Sequence, residues 1–113
     1  MMKKFITAEA IRQYAAASQD LAAIHLDEDA AAEVGFKRPI AHGMYLMGLA
    51  QSLYLAEHRA QWITRYELKF HQPIEVDNVV IFDFVEDDCA VKVILTTEAG
   101  DVIASGAFSV KEV

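Results

Sequence analysis

The segment GMYLMGLAQSLYLA, residues 43–56, is apolar on almost every face and determines how the rest of the chain must fold. A helix of this composition is either buried or membrane-spanning. Gln51 and Ser52 interrupt the apolar run, which is far shorter than the ~20 residues needed to cross a bilayer. The segment therefore predicts a buried central helix and argues against a membrane helix.

The two halves of the chain around this helix differ in composition. Residues 1–60 hold 14 of the 18 alanines but only 6 of the 23 Val, Ile and Thr residues, and residues 61–113 hold the other 17. Alanine favours helix and β-branched residues favour strand. Helices followed by strands, without alternation, indicate an α+β fold with an antiparallel sheet. We expect one domain, residues 1–113, in which about five strands wrap around the central helix.

Local patterns place the other elements. A first strand is predicted over Lys3–Ile6, followed by a helix that Thr7 caps and that runs to about Gln19. A short helix is predicted from near Asp27 to Gly35. Four strands complete the sheet, with turns at 86–88 and 99–101: Tyr66–His71, Val79–Val85, Val91–Thr97 and Val102–Val110.

Charge and cysteine content exclude several classes of function. The formal net charge is −7 and no cluster of Lys or Arg stands out, which disfavours nucleic-acid binding. The single cysteine, Cys89, cannot form an intramolecular disulfide, and the first residues lack the apolar run of a secretory signal. The sequence thus predicts a cytoplasmic protein. The four histidines show no paired-ligand spacing, so no metal site is expected.

Two stretches carry a family resemblance: residues 18–25, SQDLAAIH, and residues 35–44, GFKRPIAHGM. Together they resemble the MaoC-like, (R)-specific enoyl-CoA hydratase family of the hot-dog fold. That family has an Asp and a His five residues apart in S-G-D-x-N-P-[aliphatic]-H, a helix that ends in G-[F/Y], and then I-A-H-G-M. The matching positions are Asp20, Ile24, His25, Gly35, Phe36 and 40–44. Phe70, Pro73 and Asp77 loosely resemble the family's F-x-x-P-V-x-x-G-D.

The resemblance implies reversible hydration of a trans-2-enoyl thioester, carried by CoA or an acyl-carrier protein, to an (R)-3-hydroxyacyl thioester. It implies that Asp20 is the base, that His25 positions the water and assists proton transfer, and that the Gly43 N–H stabilises the thioester oxyanion. It further implies a homodimer with its substrate tunnel at the subunit interface, and no cofactor beyond the carrier.

The resemblance also suggests residues that contact the substrate. His42, Ile40, Phe36 and Gln51 are candidates for substrate binding, and His42 is expected to shape the helix entrance through hydrogen bonds. Gln51 or Ser52 is a candidate to hydrogen-bond Asp20. Lys37 and Arg38 are candidates for contact with the carrier's phosphates.

The sequence departs from the family pattern around the two catalytic positions. Gln19, Ala22 and Ala23 stand where the family has Gly, Asn and Pro, and Val76 replaces a Gly. Positions five apart on a helix point about 140° from each other, so Asp20 and His25 can meet only if the chain leaves the helix between them. Because the proline that enforces this exit is missing, we expect tertiary contacts to hold the loop.

Two other functions fit the same fold. A non-catalytic acyl-thioester-binding or partner subunit would tolerate the loss of the Asn and Pro. A hot-dog thioesterase would normally carry a carboxylate on the central helix, and residues 43–56 contain none.

Overall fold

The computed structural model describes all 113 residues and contains four helices and five strands. The helices are α1 (Ala8–Ser18), α2 (Ala23–Leu26), α3 (Glu28–Glu33) and α4 (Gly43–Ala56). The strands are β1 (Met2–Ile6), β2 (Gln61–Phe70), β3 (Asn78–Asp87), β4 (Ala90–Thr96) and β5 (Val102–Glu112).

The strands form one antiparallel sheet in the order β1-β3-β4-β5-β2. Strands β3, β4 and β5 follow one another through tight turns, whereas β1 and β2 form the two edges. Together with α4 across the sheet, this is the α+β hot-dog architecture that the sequence predicts.

One apolar core lies between the sheet and the helices. Along β4, Val91, Val93 and Leu95 are buried and alternate with more exposed residues, as expected for a strand with one face on the core. Phe82 from β3 and Phe108 from β5 are also buried. Burial of each such side chain contributes roughly 1.5–3 kcal/mol, so this face fixes the position of the helices against the sheet.

Helix α4 contributes Leu46, Ala50 and Tyr54 to this core. The opposite face of α4, which includes Met44 and Gly48, is exposed in the single chain. The sequence predicts burial on all faces of this helix, and the single chain buries only one of them.

The ends of the helices follow the capping residues predicted from the sequence. The Thr7 hydroxyl accepts a hydrogen bond from the Ala10 N–H, and the Asp27 carboxylate accepts one from the Asp29 N–H. Gly35 ends the α3 region with φ at 95°, a conformation that glycine adopts without steric cost. These contacts fix where α1 and α3 begin and where the segment toward α4 departs.

Two elements differ from the sequence-based prediction. Strand β2 begins at Gln61 instead of Tyr66, because a register shift between Ile63 and Arg65 interrupts the alternation of apolar and polar residues. The single turn α2 was not predicted, since four residues are too few to produce a helical period. No helix is long and apolar enough to cross a membrane.

Candidate active site

The first site residue, Asp20, lies just outside the C-terminus of α1. Gln19 ends the helix in a left-handed conformation, with φ 63° and ψ 19°. This conformation turns the chain away from the helix axis, and residues other than Gly, Asn and Asp rarely adopt it. It accounts for the glycine that the related family carries at this position. The break between Asp20 and His25 that the sequence predicts lies at residues 20–22, which are not helical and precede α2.

The second site residue, His25, lies in the short helix α2. Its Nδ1 is 2.7 Å from the Ile40 carbonyl oxygen. Because a carbonyl oxygen can only accept a hydrogen bond, Nδ1 carries the proton, and in the neutral ring Nε2 carries the free lone pair. The Ile40 N–H in turn donates to the Ile24 carbonyl at 3.0 Å. The ring of His25 is thus fixed to the segment that precedes α4.

The third residue of the site, His42, is buried behind His25. The two imidazole rings stack with their centroids 3.7 Å apart and their planes 20° apart. Nε2 of His42 lies 3.0 Å from the backbone carbonyl oxygen of Asp20, so this nitrogen is the protonated one. The residue is 2% exposed. We expected His42 to contact substrate, but it lies under His25 and does not line the cleft.

Asp20, His25 and His42 bring one carboxylate oxygen and two ring nitrogens within 4.8 Å of one another. Such a set resembles a metal site in composition. The stacked rings argue against one, because the lone pairs of an imidazole lie in its plane, and two nearly parallel planes do not converge on an ion about 2 Å from each nitrogen. Hydrogen bonds to a water or a substrate tolerate this geometry, so the cluster fits proton transfer better than metal ligation.

A cleft of about 350 Å³ opens in front of His25. Its lining includes Ile40, Gly43 and Leu46 on the α4 side and Phe70 on the opposite side. Gly43 is the first residue of α4, and His42 makes no side-chain hydrogen bond to cap that helix. The first N–H groups of a helix have no partner within it, so the Gly43 N–H is available to a ligand in the cleft.

A side chain at Gly43 would crowd this cleft. A Cβ built there would lie 3.2 Å from Cζ of the Phe70 ring, closer than ordinary van der Waals contact. The glycine therefore allows the Phe70 ring to approach the N-terminus of α4.

Other predicted contacts lie elsewhere. Phe36 and Gln51 do not line the cleft. Neither Gln51 nor Ser52 hydrogen-bonds Asp20; both side chains are exposed on α4, and the contact to Asp20 comes from His42 instead. Helix geometry explains this, since Gln51 lies about 12 Å along the axis from Gly43.

Lys37 and Arg38, the two candidates for contact with a phosphate, already contact acidic residues. The Arg38 guanidinium forms an ion pair with the Asp77 carboxylate. The backbone N–H of Lys37 donates to the Glu75 carboxylate at 2.7 Å, while the Lys37 side chain forms no ion pair. Of the two residues, Lys37 is thus the freer to meet a phosphate.

Part of the cleft was not predicted from the sequence. Residues 70–74, which run from the last residue of β2 into the loop after it, form the wall of the cleft opposite α4. They include His71, whose Nε2 lies 2.7 Å from the Ser105 hydroxyl. The loose motif around Phe70 and Pro73 was the available signal. It became informative only when the fold placed this segment beside Gly43.

Comparison with known proteins identifies the family. The family model described as "MaoC like domain" matches residues 2–107. The chain belongs to the MaoC-like dehydratase family. No curated protein sequence is significantly similar to it.

Solved structures share the fold of this MaoC-like domain. It is similar to the (R)-hydratase from A. caviae involved in PHA biosynthesis, with a TM-score of 0.85 and 26% identity over 99% of this chain and 92% of that one. The R-hydratase PhaJ1 from Pseudomonas aeruginosa matches with a TM-score of 0.84 and 23% identity, over 98% of this chain and 77% of that one. The HadBC (3R-hydroxyacyl-ACP dehydratase) complex from Mycobacterium tuberculosis matches with a TM-score of 0.80 and 18% identity, over 97% and 90%. The last two matches show the shared fold alone.

Proposed function

We propose that this MaoC-like domain catalyses the reversible hydration of a trans-2-enoyl thioester, carried by CoA or an acyl-carrier protein, to the (R)-3-hydroxyacyl thioester. The observation that carries the proposal has two parts: His25 and the free N-terminus of α4 line one cleft, and a carboxylate oxygen of Asp20 lies within 4.8 Å of a ring nitrogen of His25. The 26% identical (R)-hydratase from A. caviae supports the reaction class.

The reaction needs a base, a proton donor and a site for negative charge. Water adds its oxygen to C3 while the C2–C3 π electrons move toward the thioester carbonyl. In the proposed mechanism Asp20 accepts the water proton, and the free Nε2 of His25 holds the water and assists the transfer. The Gly43 N–H and the positive end of the α4 dipole stabilise the resulting oxyanion. A proton returned to C2 completes the addition of one water.

The substrate would lie in the cleft with its acyl part against Leu46, Phe70 and Ile74. These side chains present an apolar wall, which suits an alkenyl chain. The Lys37 ammonium is the candidate contact for a phosphate of the carrier. Since Arg38 is paired with Asp77, we assign it a smaller part in carrier binding.

We also propose that the active protein is a homodimer. Exposed apolar residues at the edge strand β2 and on the open face of α4 support this assembly, among them Trp62 and Met44. A second copy of the chain would cover these surfaces.

The experiment is a spectrophotometric assay with crotonyl-CoA and longer 2-enoyl-CoA thioesters. Loss of enoyl absorbance without release of free thiol supports hydration. Release of thiol would indicate a thioesterase. Binding of enoyl-CoA without turnover would indicate a partner subunit, an outcome worth testing because the HadBC structure is a complex.

Two substitutions test the assigned residues. Asp20→Asn and His25→Ala should each lower kcat by about 10²–10⁴-fold, because each removes a proton-transfer group. The double variant should lose little more than either single one, as expected for groups that act as a unit. Asp29→Asn, which removes an exposed carboxylate in the first turn of α3, is the matched control and should keep full activity. Near-normal turnover in either single variant would refute the assignment.

A further inference from the structure

We infer that His42 is the positioning residue of the Asp20–His25 pair: one nitrogen fixes the backbone of Asp20, and the ring face fixes the plane of His25. The inference rests on the proposed function for its kinetic consequences. It concerns a residue that lies outside the cleft and is not assigned proton transfer.

The contact with Asp20 anchors a loop that has little else to hold it. The Asp20 N–H donates to the Ser18 hydroxyl at 3.3 Å, and the Ala22 N–H donates to the Asp20 carboxylate at 3.4 Å, so both contacts stay within the loop. The hydrogen bond from Nε2 of His42 to the Asp20 carbonyl, 3.0 Å long, joins this loop to the segment before α4. This hydrogen bond holds the loop in place, which the Asn-Pro sequence is expected to do in related proteins.

The contact with His25 fixes the ring of the proton-transferring residue. The Ile40 carbonyl holds the Nδ1 edge of that ring, and the stacked His42 ring, 3.7 Å away, holds its face. The Tyr14 ring of α1 contacts His42 edge-on, with centroids 4.9 Å apart. His42 is thus held between α1 and His25, which leaves the free Nε2 of His25 with one orientation.

The burial of His42 selects its tautomer. Nε2 donates to Asp20, and Nδ1 is buried without a hydrogen-bond partner. A proton on Nδ1 would be a buried donor without an acceptor, which costs about 1–3 kcal/mol, so the lone pair belongs there. His42 therefore carries its proton on Nε2 and His25 carries its proton on Nδ1. The opposite tautomers of two stacked rings are a signature that can be measured.

The test separates the two contacts with a pair of variants. His42→Gln keeps an amide N–H that can reach the Asp20 carbonyl but removes the ring. His42→Phe keeps the ring but removes the donor. We expect each to lower kcat by about 10²-fold, as a misplacement of about 1 Å does, with KM close to the wild-type value because His42 does not touch substrate. His58→Gln, at the far end of α4, is the control and should leave kcat unchanged.

Nitrogen NMR of the imidazole rings gives a readout that a merely structural role would not move. In the wild type we expect a single Nδ1–H signal set for His25 and a single Nε2–H set for His42. In His42→Gln the His25 ring should lose its single orientation, so its Nδ1–H signal should broaden and exchange faster with solvent, whereas in His42→Phe it should keep the wild-type signature.

Several results would overturn the inference: a wild-type His42 protonated on Nδ1, unchanged kcat in both variants, or a loss seen in KM alone. The wild-type spectrum decides the tautomers even where a variant fails to fold. If the wild type lacks hydratase activity, the proposed function fails, whereas the His25 spectra of the variants still test the positioning contacts.

Discussion

Gln19 is the residue on which the separation of Asp20 from α1 depends. It adopts φ 63° and is exposed, and its side-chain amide donates to the Ala16 carbonyl at 2.7 Å. The left-handed conformation costs a residue other than Gly, Asn or Asp roughly 1–2 kcal/mol. We therefore expect Gln19→Gly to raise the free energy of unfolding by about 1 kcal/mol, measured by urea denaturation, while kcat stays unchanged.

A glycine placed within α1 is the control for this effect. Ala17→Gly should lower the free energy of unfolding by about 1 kcal/mol, because glycine is unfavourable inside an exposed helix. Equal losses in both variants would mean that Gln19 is not left-handed in solution.

Ala23 is a second position where the family residue is compatible with this backbone. Ala22 has φ −57° and ψ 135°, a conformation allowed before proline, and Ala23 is the first residue of α2, where proline is favoured. Its N–H makes no hydrogen bond. Ala23→Pro should raise the free energy of unfolding by about 0.4–1 kcal/mol by restricting the unfolded chain. Since hydrogen bonds from residues 40 and 42 already hold the loop, kcat/KM should not change. A large rise in kcat/KM would show that the loop is loose in the native protein.

Elements with long, regular patterns were predictable from sequence, and short or interrupted ones were not. The alternation in β4, the apolar run in β3 and the cap at Thr7 gave elements that the structure confirms. The first half of β2 was missed because its bulge breaks the alternation, and α2 was missed because one turn carries no period. The exposed face of α4 depends on what covers it, which composition does not specify.

The pairing of β2 with β5 depends on Gly106. A Cβ at this position would lie 2.0 Å from the backbone carbonyl oxygen of Glu67, so the two strands could not keep their register. Gly106→Ala should lower the free energy of unfolding by about 3 kcal/mol, since rigid backbone must move. Gly48→Ala is the matched control: in the single chain nothing lies within 4 Å of its added Cβ, and alanine in a helix interior should raise the stability of the dissociated chain by about 0.5–1 kcal/mol. Urea midpoints for both variants provide the measurement. A tolerated Gly106→Ala would contradict the observed register.

The site, in contrast to the elements, is a property of the whole molecule. That Asp20 and His25 lie close together was predictable from the family motif, and that Gly43 begins α4 was predictable from the apolar segment 43–56. The contacts of His42 with Asp20 and His25 were not predictable, because they arise only when the segment before α4 packs beside α2. The cleft wall at residues 70–74 is contributed by the end of β2 and the loop after it, far along the chain from Asp20.

Two tyrosines, Tyr54 buried and Tyr66 half-buried, make the stability of the fold sensitive to alkaline pH. Burial and the neighbouring Glu86 carboxylate raise the pKa of Tyr54 to about 12, and burial raises the pKa of Tyr66 to about 12. A raised pKa in the folded state means that the native protein holds the phenol proton more tightly than the unfolded chain does. The resulting stability is complete below pH 10 and is lost as pH rises from 10 through 12.

We expect the free energy of unfolding to fall across this alkaline range, by on the order of 2 kcal/mol for each tyrosine. Tyr54→Phe should lower stability near neutral pH by about 1 kcal/mol, since its hydroxyl hydrogen-bonds Gln61 and Glu86 and so ties α4 to β2 and β3. The same substitution should also reduce the loss of unfolding free energy between pH 10 and pH 12. Urea denaturation at several pH values, with tyrosinate absorbance, provides the measurement. An unchanged alkaline fall in the Tyr54→Phe, Tyr66→Phe double variant would contradict this account.

The proposed homodimer is open to a direct test through Trp62, the only tryptophan of the chain. This residue is 64% exposed on β2, an edge strand that pairs only with β5. The backbone N–H and C=O groups along the unpaired edge of β2 can pair with a second chain. Light scattering coupled to gel filtration should therefore give a mass of about twice 12.6 kDa.

If β2 lies at the interface, dilution should shift the Trp62 emission to longer wavelength as the indole becomes exposed to water, and Trp62→Lys should give a folded monomer. Because the substrate tunnel is expected at the subunit interface, that monomer should also lose hydratase activity. A wild type that is monomeric at micromolar concentration and fully active would refute both the dimer and the interfacial tunnel.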